Sequence, residues 1–246
     1  MCISPVWGSP TPETLARLPA TVVLSIAKQD GETLKRQLAD SEDVRVSLYA
    51  EVDTGWRQTP ILEATLLPEG ALADAPFVLF SGHQDTWHYG VMDNGTANAT
   101  MLKVARIMAA ERAAWRRDLR LCFWSGRSHG RYSGSTWYAD NHWLELAKRC
   151  AVHVNVDSTG GRGATVLADA PAASELLALA RGAVKAEGHQ RFDGLRMSRA
   201  GDQSFWGIGI PSMFMGMGEQ PAGQSIDATA SVFGSSRRKG AGFGWW

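Results

Sequence analysis

From residue 76 onward the chain alternates between short apolar blocks and longer amphipathic stretches, and each change of texture predicts an element. Phe77, Val78, Leu79 and Phe80 open an uninterrupted apolar run that predicts a buried strand over 77–82. A helical period then runs over about 96–113. Strand, helix, strand, helix and strand follow at 119–124, 135–147, 151–156, 173–187 and 208–215. Strands separated by helices imply a mainly parallel sheet covered on both faces, a three-layer α/β sandwich.

The first third reads differently. Residues 21–26 predict a short strand, and residues 31–38 a helix opened by the turn Gln29-Asp30-Gly31. Val44, Val46, Leu48, Ala50 and Val52 alternate with polar residues, Asp53-Thr54-Gly55 supplies a turn, and residues 56–67 are again extended. That pattern predicts a hairpin. The last segment, from Pro221, is rich in Gly, Ser and Ala, lacks any period, and reads as irregular.

Polar residues cluster where the predicted strands end. His83 and Asp85 close the first, Arg127-Ser128-His129 follows the second, and Asp157 closes VHVNV. In open α/β sheets ligands bind outside the carboxyl ends of the strands, so these residues are expected to converge. Imidazole with carboxylates is a donor set that suits zinc. His83 and Asp85 are two apart and share a face if the strand continues, so Asp85 is placed to orient the imidazole. On this stretch alone, a hydrogen-bonded loop histidine and an Asp93-Asn94-Gly95 turn before the helix explain the residues equally well.

Composition narrows the remaining choices. The 246 residues, 44% hydrophobic, are enough for one substantial core, and 25 basic residues balance 25 acidic ones. That balance argues against nucleic acid and anionic membrane as partners. Three cysteines without close spacing suggest neither a disulfide framework nor a thiolate zinc site. No signal-like or membrane-length apolar run occurs, so a cytoplasmic location is the default expectation and no membrane partner is expected. Oligomeric state leaves no trace in the sequence. Ser128 and Ser133 are not read as serine nucleophiles, because Gly126-Arg127-Ser128-His129-Gly130 is not a Gly-x-Ser-x-Gly elbow.

Four blocks, in order over about residues 77–215, resemble the zinc exopeptidases that include co-catalytic aminopeptidases and the glutamate carboxypeptidase and transferrin receptor group. SGHQDTWHYGVMDNGTANAT resembles that family's His-x-Asp and its Asp at a helix start. FWSGRSHGRYSGSTWYAD resembles its Trp-x-x-Glu-Glu segment, VNVDSTGG its Asn-x-Asp strand end, and GDQSFWGIGIPSM its Asp-x-x-x-Phe and Gly-Ile-Pro block. Residues 21–40 are similar to the end of a protease-associated domain. The expected organisation is therefore a remnant of such a domain at 1–43 and an exopeptidase-like α/β domain at 44–246, in a chain shortened at both ends.

The resemblance implies two zinc ions sharing a bridging Asp and a substrate that is a peptide or amide. His83, Asp93 and Asp157 match the protein ligands of the first ion, with Asp93 the bridge, and Asp85 matches the orienting carboxylate. The second ion is short of ligands. Arg127 and Ser128 stand where the family has its general base and a zinc ligand, and no histidine follows Pro211 to match the late ligand. His129 is a possible substitute ligand, and Asp202 matches an aspartate that shapes the pocket. The resemblance thus implies a metallopeptidase-like hydrolase with one zinc and impaired turnover. The alternatives are an inactive binding or scaffold homologue and a piece of a longer active peptidase.

Overall fold

The computed structural model describes residues 13–216, apart from 18–20, 23, 25, 42, 52, 54, 55, 87, 88, 128, 129, 131, 161–164, 168, 169 and 195–202. The C-terminal segment expected to be irregular, the candidate residues Ser128, His129 and Asp202, and most of the expected 53–55 turn therefore lie outside the described residues.

Contacts divide the chain into two units, Pro10–Gln58 and the residues from Thr59 onward. In the first, helix α1 (Lys28–Asp40) forms where a helix is predicted but starts three residues earlier, and none of its side chains is buried. The strand expected at 21–26 does not form among that run's described residues, and 43–51 carries no strand either. An extended segment needs a neighbouring strand to satisfy its N–H and C=O groups, and among the described residues neither run pairs with one.

The missing hairpin has a specific cause. Its second half supplies strand β1 (Leu62–Leu66), which pairs antiparallel with β3 (Asp118–Trp124), Leu62 opposite Phe123 and Leu66 opposite Leu119. Polar contacts beneath the sheet secure this edge. Tyr138 donates a 2.6 Å hydrogen bond to Glu63 of β1, and Arg120 of β3 donates to Tyr138 (2.9 Å) and Glu145 (2.7 Å).

The remaining strands are β2 (Phe77–His83), β4 (Cys150–Val156) and β5 (Ser212–Met215), and the sheet order is β1-β3-β2-β4-β5. All pairings except β1 with β3 are parallel. The strands lie close to their predicted places, as does α2 (Ala97–Ala110). The helix predicted at 135–147 is two, α3 (Ser133–Asn141) and α4 (Trp143–Arg149), broken at His142 within an Asp-Asn-His run of weak helix formers. Farther along come α5 (Leu177–Gly188) and the short α6 (Gln203–Trp206).

Successive side chains of β2 and β3 go to opposite faces, which makes the layers visible. Phe77, Leu79, Cys122 and Trp124 pack with Tyr138 of α3, Leu146 of α4 and Phe205 of α6. Phe80, Leu119, Leu121 and Phe123 pack with Ala97 and Met101 of α2. A third cluster seats Ala180 and Val184 of α5 against Met213 of β5. Each large apolar side chain sealed this way contributes about 1.5–3 kcal/mol. With both faces covered, β2 is expected to be apolar, as Phe77–Phe80 are, and its polar residues, Ser81 and His83, fall in its last three positions. No helix among the described residues is long and apolar enough to cross a membrane.

Candidate metal centre

β2 leads through α2 to β3 on one side, while β4 leads to β5 on the other, so the chain reverses direction between β2 and β4. A crevice opens at the carboxyl ends of two such strands. His83 is the last residue of β2, and Asp157 follows β4 directly. Asp93 reaches the same place on the irregular turn Val91–Thr96, which leads into α2. Gly90 begins that turn in the left-handed region (φ 55), and a Cβ there would overlap the Thr86 side chain, so only glycine fits.

One ligand atom from each of His83, Asp93 and Asp157 lies within 4.8 Å of the others. His83 Nε2 is 2.8 Å from Asp93 Oδ1 and 3.6 Å from Asp157 Oδ2. Although His83 Nε2 and Asp93 Oδ1 are close, neither atom makes a directed hydrogen bond, and both are buried. The other ring nitrogen is held by the main chain: Nδ1 donates to the Asp85 carbonyl at 2.8 Å. The Asp85 carboxylate, expected to orient the imidazole, lies 3.6 Å from Nδ1 and accepts the Arg127 backbone N–H at 3.1 Å. The Asp85 peptide thus makes the shorter contact with the imidazole, and its carboxylate, beside the same ring nitrogen, also braces the turn after β3.

Arg127 reaches into the same crevice. Its Nη2 is 2.8 Å from Asp157 Oδ2, and its Nη1 is 3.9 Å from Asp93 Oδ2. Burial on its own would depress the His83 imidazole pKa, but Asp157, Asp85 and Asp93 together hold it well above its ordinary value. Burial likewise works to raise the Asp157 carboxyl. The Arg127 charge, followed by His83, overrides it and holds that carboxyl below the ordinary range.

One residue of the site escaped the sequence reading. Asn94, fully buried, donates to the carbonyls of His83 (3.2 Å) and Val156 (3.3 Å), and its Oδ1 accepts the Ser158 N–H (3.0 Å). It ties the end of β2 to the end of β4. Ser158, itself left-handed (φ 53), donates through Oγ to Asp157 Oδ1 at 2.9 Å. An amide next to Asp93 was the available signal, but its side chain's partners are eleven or more residues away.

The donors fit one zinc ion. They are a neutral-capable imidazole nitrogen with its far side fixed, plus two carboxylates, and two of the facing atoms have no directed hydrogen bond. Cys122 and Cys150 are free thiols, and burial pushes both pKa values up, that of Cys150 to about 12.

Comparison with known proteins places this geometry in a family. The sequence profile described as peptidase family M28 matches residues 64–230. A probable glutamate carboxypeptidase of Zea mays, VP8, is 33% identical over 85 residues, which is 33% of this chain and 12% of that protein. The aminopeptidase NAALADL1 of Rattus norvegicus is 26% identical over 104 residues, 41% of this chain and 14% of that protein. Among solved structures, BSAP, a zinc aminopeptidase from Bacillus subtilis, superposes with a TM-score of 0.57 at 19% identity, covering 68% of this chain and 42% of that one. The matches thus span about an eighth of these curated relatives and under half of that structure. With more than half its length matched by the profile, the chain belongs to peptidase family M28.

Proposed function

We propose that this chain is a metallohydrolase of the peptide- or amide-cleaving type that holds one zinc on His83, Asp93 and Asp157 and turns over slowly. The observation that carries this reading is the close but undirected approach of His83 Nε2 and Asp93 Oδ1. Two buried polar atoms 2.8 Å apart that meet as an ion pair without a well-directed hydrogen bond are placed as two ligands of a common ion would be. When bound, zinc supplies Lewis-acid polarisation of a carbonyl and acidifies water toward neutral pH.

The protein's own part is positioning and charge. The Asp85 carbonyl fixes the His83 tautomer so that Nε2 faces the crevice, and Asn94 and Ser158 hold the two carboxylate-bearing turns in register. A proton acceptor typically supplies about a hundredfold to ten-thousandfold in rate. Arg127, where relatives of the resembled type carry their base, has no lone pair to accept a proton at any ordinary pH. Slow turnover follows.

The Arg127–Asp157 ion pair favours a second reading, a binding or scaffold protein of the same fold that does no chemistry. A panel of chromogenic aminoacyl and dipeptide substrates separates the two. Turnover that is lost with a chelator, restored by zinc and absent in His83→Ala establishes the hydrolase. A zinc-loaded chain inert on the whole panel establishes the scaffold.

A further inference from the structure

The geometry points to Arg127 as a resident cation that holds this site at one metal ion, by pairing with the Asp157 oxygen that any ion bound beside His83 would share and by standing near the second carboxylate oxygen of Asp93. The inference rests on the single-zinc reading above and adds what limits it.

Asp93 divides its two carboxylate oxygens. Oδ1 faces His83 Nε2 at 2.8 Å, whereas Oδ2 faces the guanidinium, with Nη1 at 3.9 Å. A carboxylate bridging two metal ions would place a dication at each oxygen, and here a fixed guanidinium already stands 3.9 Å from the second one. Asp157 tells the same story, because its Oδ2 lies 3.6 Å from His83 Nε2 and 2.8 Å from Arg127 Nη2. An ion on His83, Asp93 and Asp157 must therefore share that oxygen with a fixed positive charge.

The guanidinium is not free to leave. The Arg127 backbone N–H is tied to Asp85 Oδ1, its side chain is only 16% exposed, and the Tyr132 ring lies 6.0 Å from its charge centre. Three carboxylates, those of Asp85, Asp93 and Asp157, meet in this crevice. Burying them together without a counter-cation is costly, and an arginine that stays charged at all ordinary pH values supplies one permanently. Like charge then repels a dication only a few ångströms away.

The test is a zinc titration against a chromophoric chelator, repeated with cobalt and read by visible absorption. It uses the full chain and its variants Arg127→Gln, Arg127→Met and Arg127→Lys, each checked for folding by circular dichroism. The wild-type chain should take about one equivalent. Removing the charge in Gln or Met should tighten that ion about tenfold or more, while Lys should keep close to wild-type affinity. Gln preserves a hydrogen-bond donor toward Asp157 and serves if Met does not fold. Two equivalents on the wild-type chain, or unchanged affinity in the folded neutral variant, overturns the inference and leaves the hydrolase reading standing. Equal tightening in Lys and Gln overturns it too, because shape and not charge is then the cause. Absence of metal from both wild type and the neutral variant overturns both readings.

Discussion

His83 and His153 sit on neighbouring strands, β2 and β4, at 3% and 0% exposure, yet their surroundings drive them in opposite directions. His83 stands at a strand end among three carboxylates, which hold its imidazole pKa high against burial. His153, opposite Leu79 in mid-sheet, meets hydroxyls and an aromatic ring: Ser81 Oγ at 2.7 Å from Nε2, Ser212 Oγ at 3.3 Å from Nδ1, and Phe205 at 4.3 Å between ring centres. With no counter-charge, burial pushes its pKa down to about 3. Depth in the protein is common to both. Position along the strand decides which one meets charge, because only strand ends face the crevice where polar turns collect.

The sharpest way to break this contrast is to remove each ring in turn. His83→Ala should weaken zinc binding by about a hundredfold or more, since a ligand counts for at least as much as the partners that orient it. Zinc at about a hundred times its Kd stabilises the wild-type chain by about 2.7 kcal/mol, and a thermal melt should show that gain lost in His83→Ala. His153→Ala should leave zinc affinity unchanged and cost about 2–4 kcal/mol, because it opens a cavity and strips Ser81 and Ser212 of a partner. Calorimetry and a zinc titration on the same sample check both halves. If His153→Ala loses zinc, the two regions are not separate.

A smaller effect concerns pH in the metal-free chain. His153 has a folded pKa below its unfolded one, so the unfolded state binds more protons between about pH 6.5 and 3. Stability should therefore fall by about 1 kcal/mol per unit as pH drops through that window, and His153→Leu should flatten the slope. His83 has the opposite sign: its raised folded pKa contributes stability that is full below about pH 6.5 and is lost as pH rises through the folded value. Melts of the two single variants across pH 4–9, on either side of about 6.5, read the two signs separately. The smallest expected change is Ser158→Ala, which removes one donor to Asp157 and should cost about 0.5–1.5 kcal/mol, with zinc affinity weakened by about tenfold at most.

Much of the larger unit was legible beforehand. The apolar block at Phe77–Phe80 and the helical periods after it encode their own elements, since period and burial are local properties. The convergence of His83 and Asp157 was legible as well, because polar residues that interrupt an apolar strand mark its carboxyl end, whereas Asp93, on the turn before α2, was marked only by the resemblance. The antiparallel edge strand was not. Residues 62–66 look equally ready to pair with 44–52 or with β3, and that choice turns on Glu63, Tyr138 and Arg120, which are far apart in the chain. Asn94 was missed for the same reason, as its three partners belong to the ends of two strands.

By itself the sequence determined the alternation of strands and helices from β2 onward, the mainly parallel character of the sheet and the polar residues at the carboxyl ends of its strands, and its resemblance to a family marked Asp93 as a candidate ligand and Arg127 as standing where a base is expected. The first three follow from periodicity and residue type, which act within a few positions, and the last two from the resemblance of whole blocks. Only the tertiary structure decided that the Asp85 carbonyl accepts from the imidazole while its carboxylate stands 3.6 Å away, that Arg127 pairs with Asp157 and approaches Asp93, and that two equally buried histidines carry opposite shifts. Those outcomes depend on distances of a few ångströms between separate elements, and electrostatics at that range changes sign with the partner that the fold supplies.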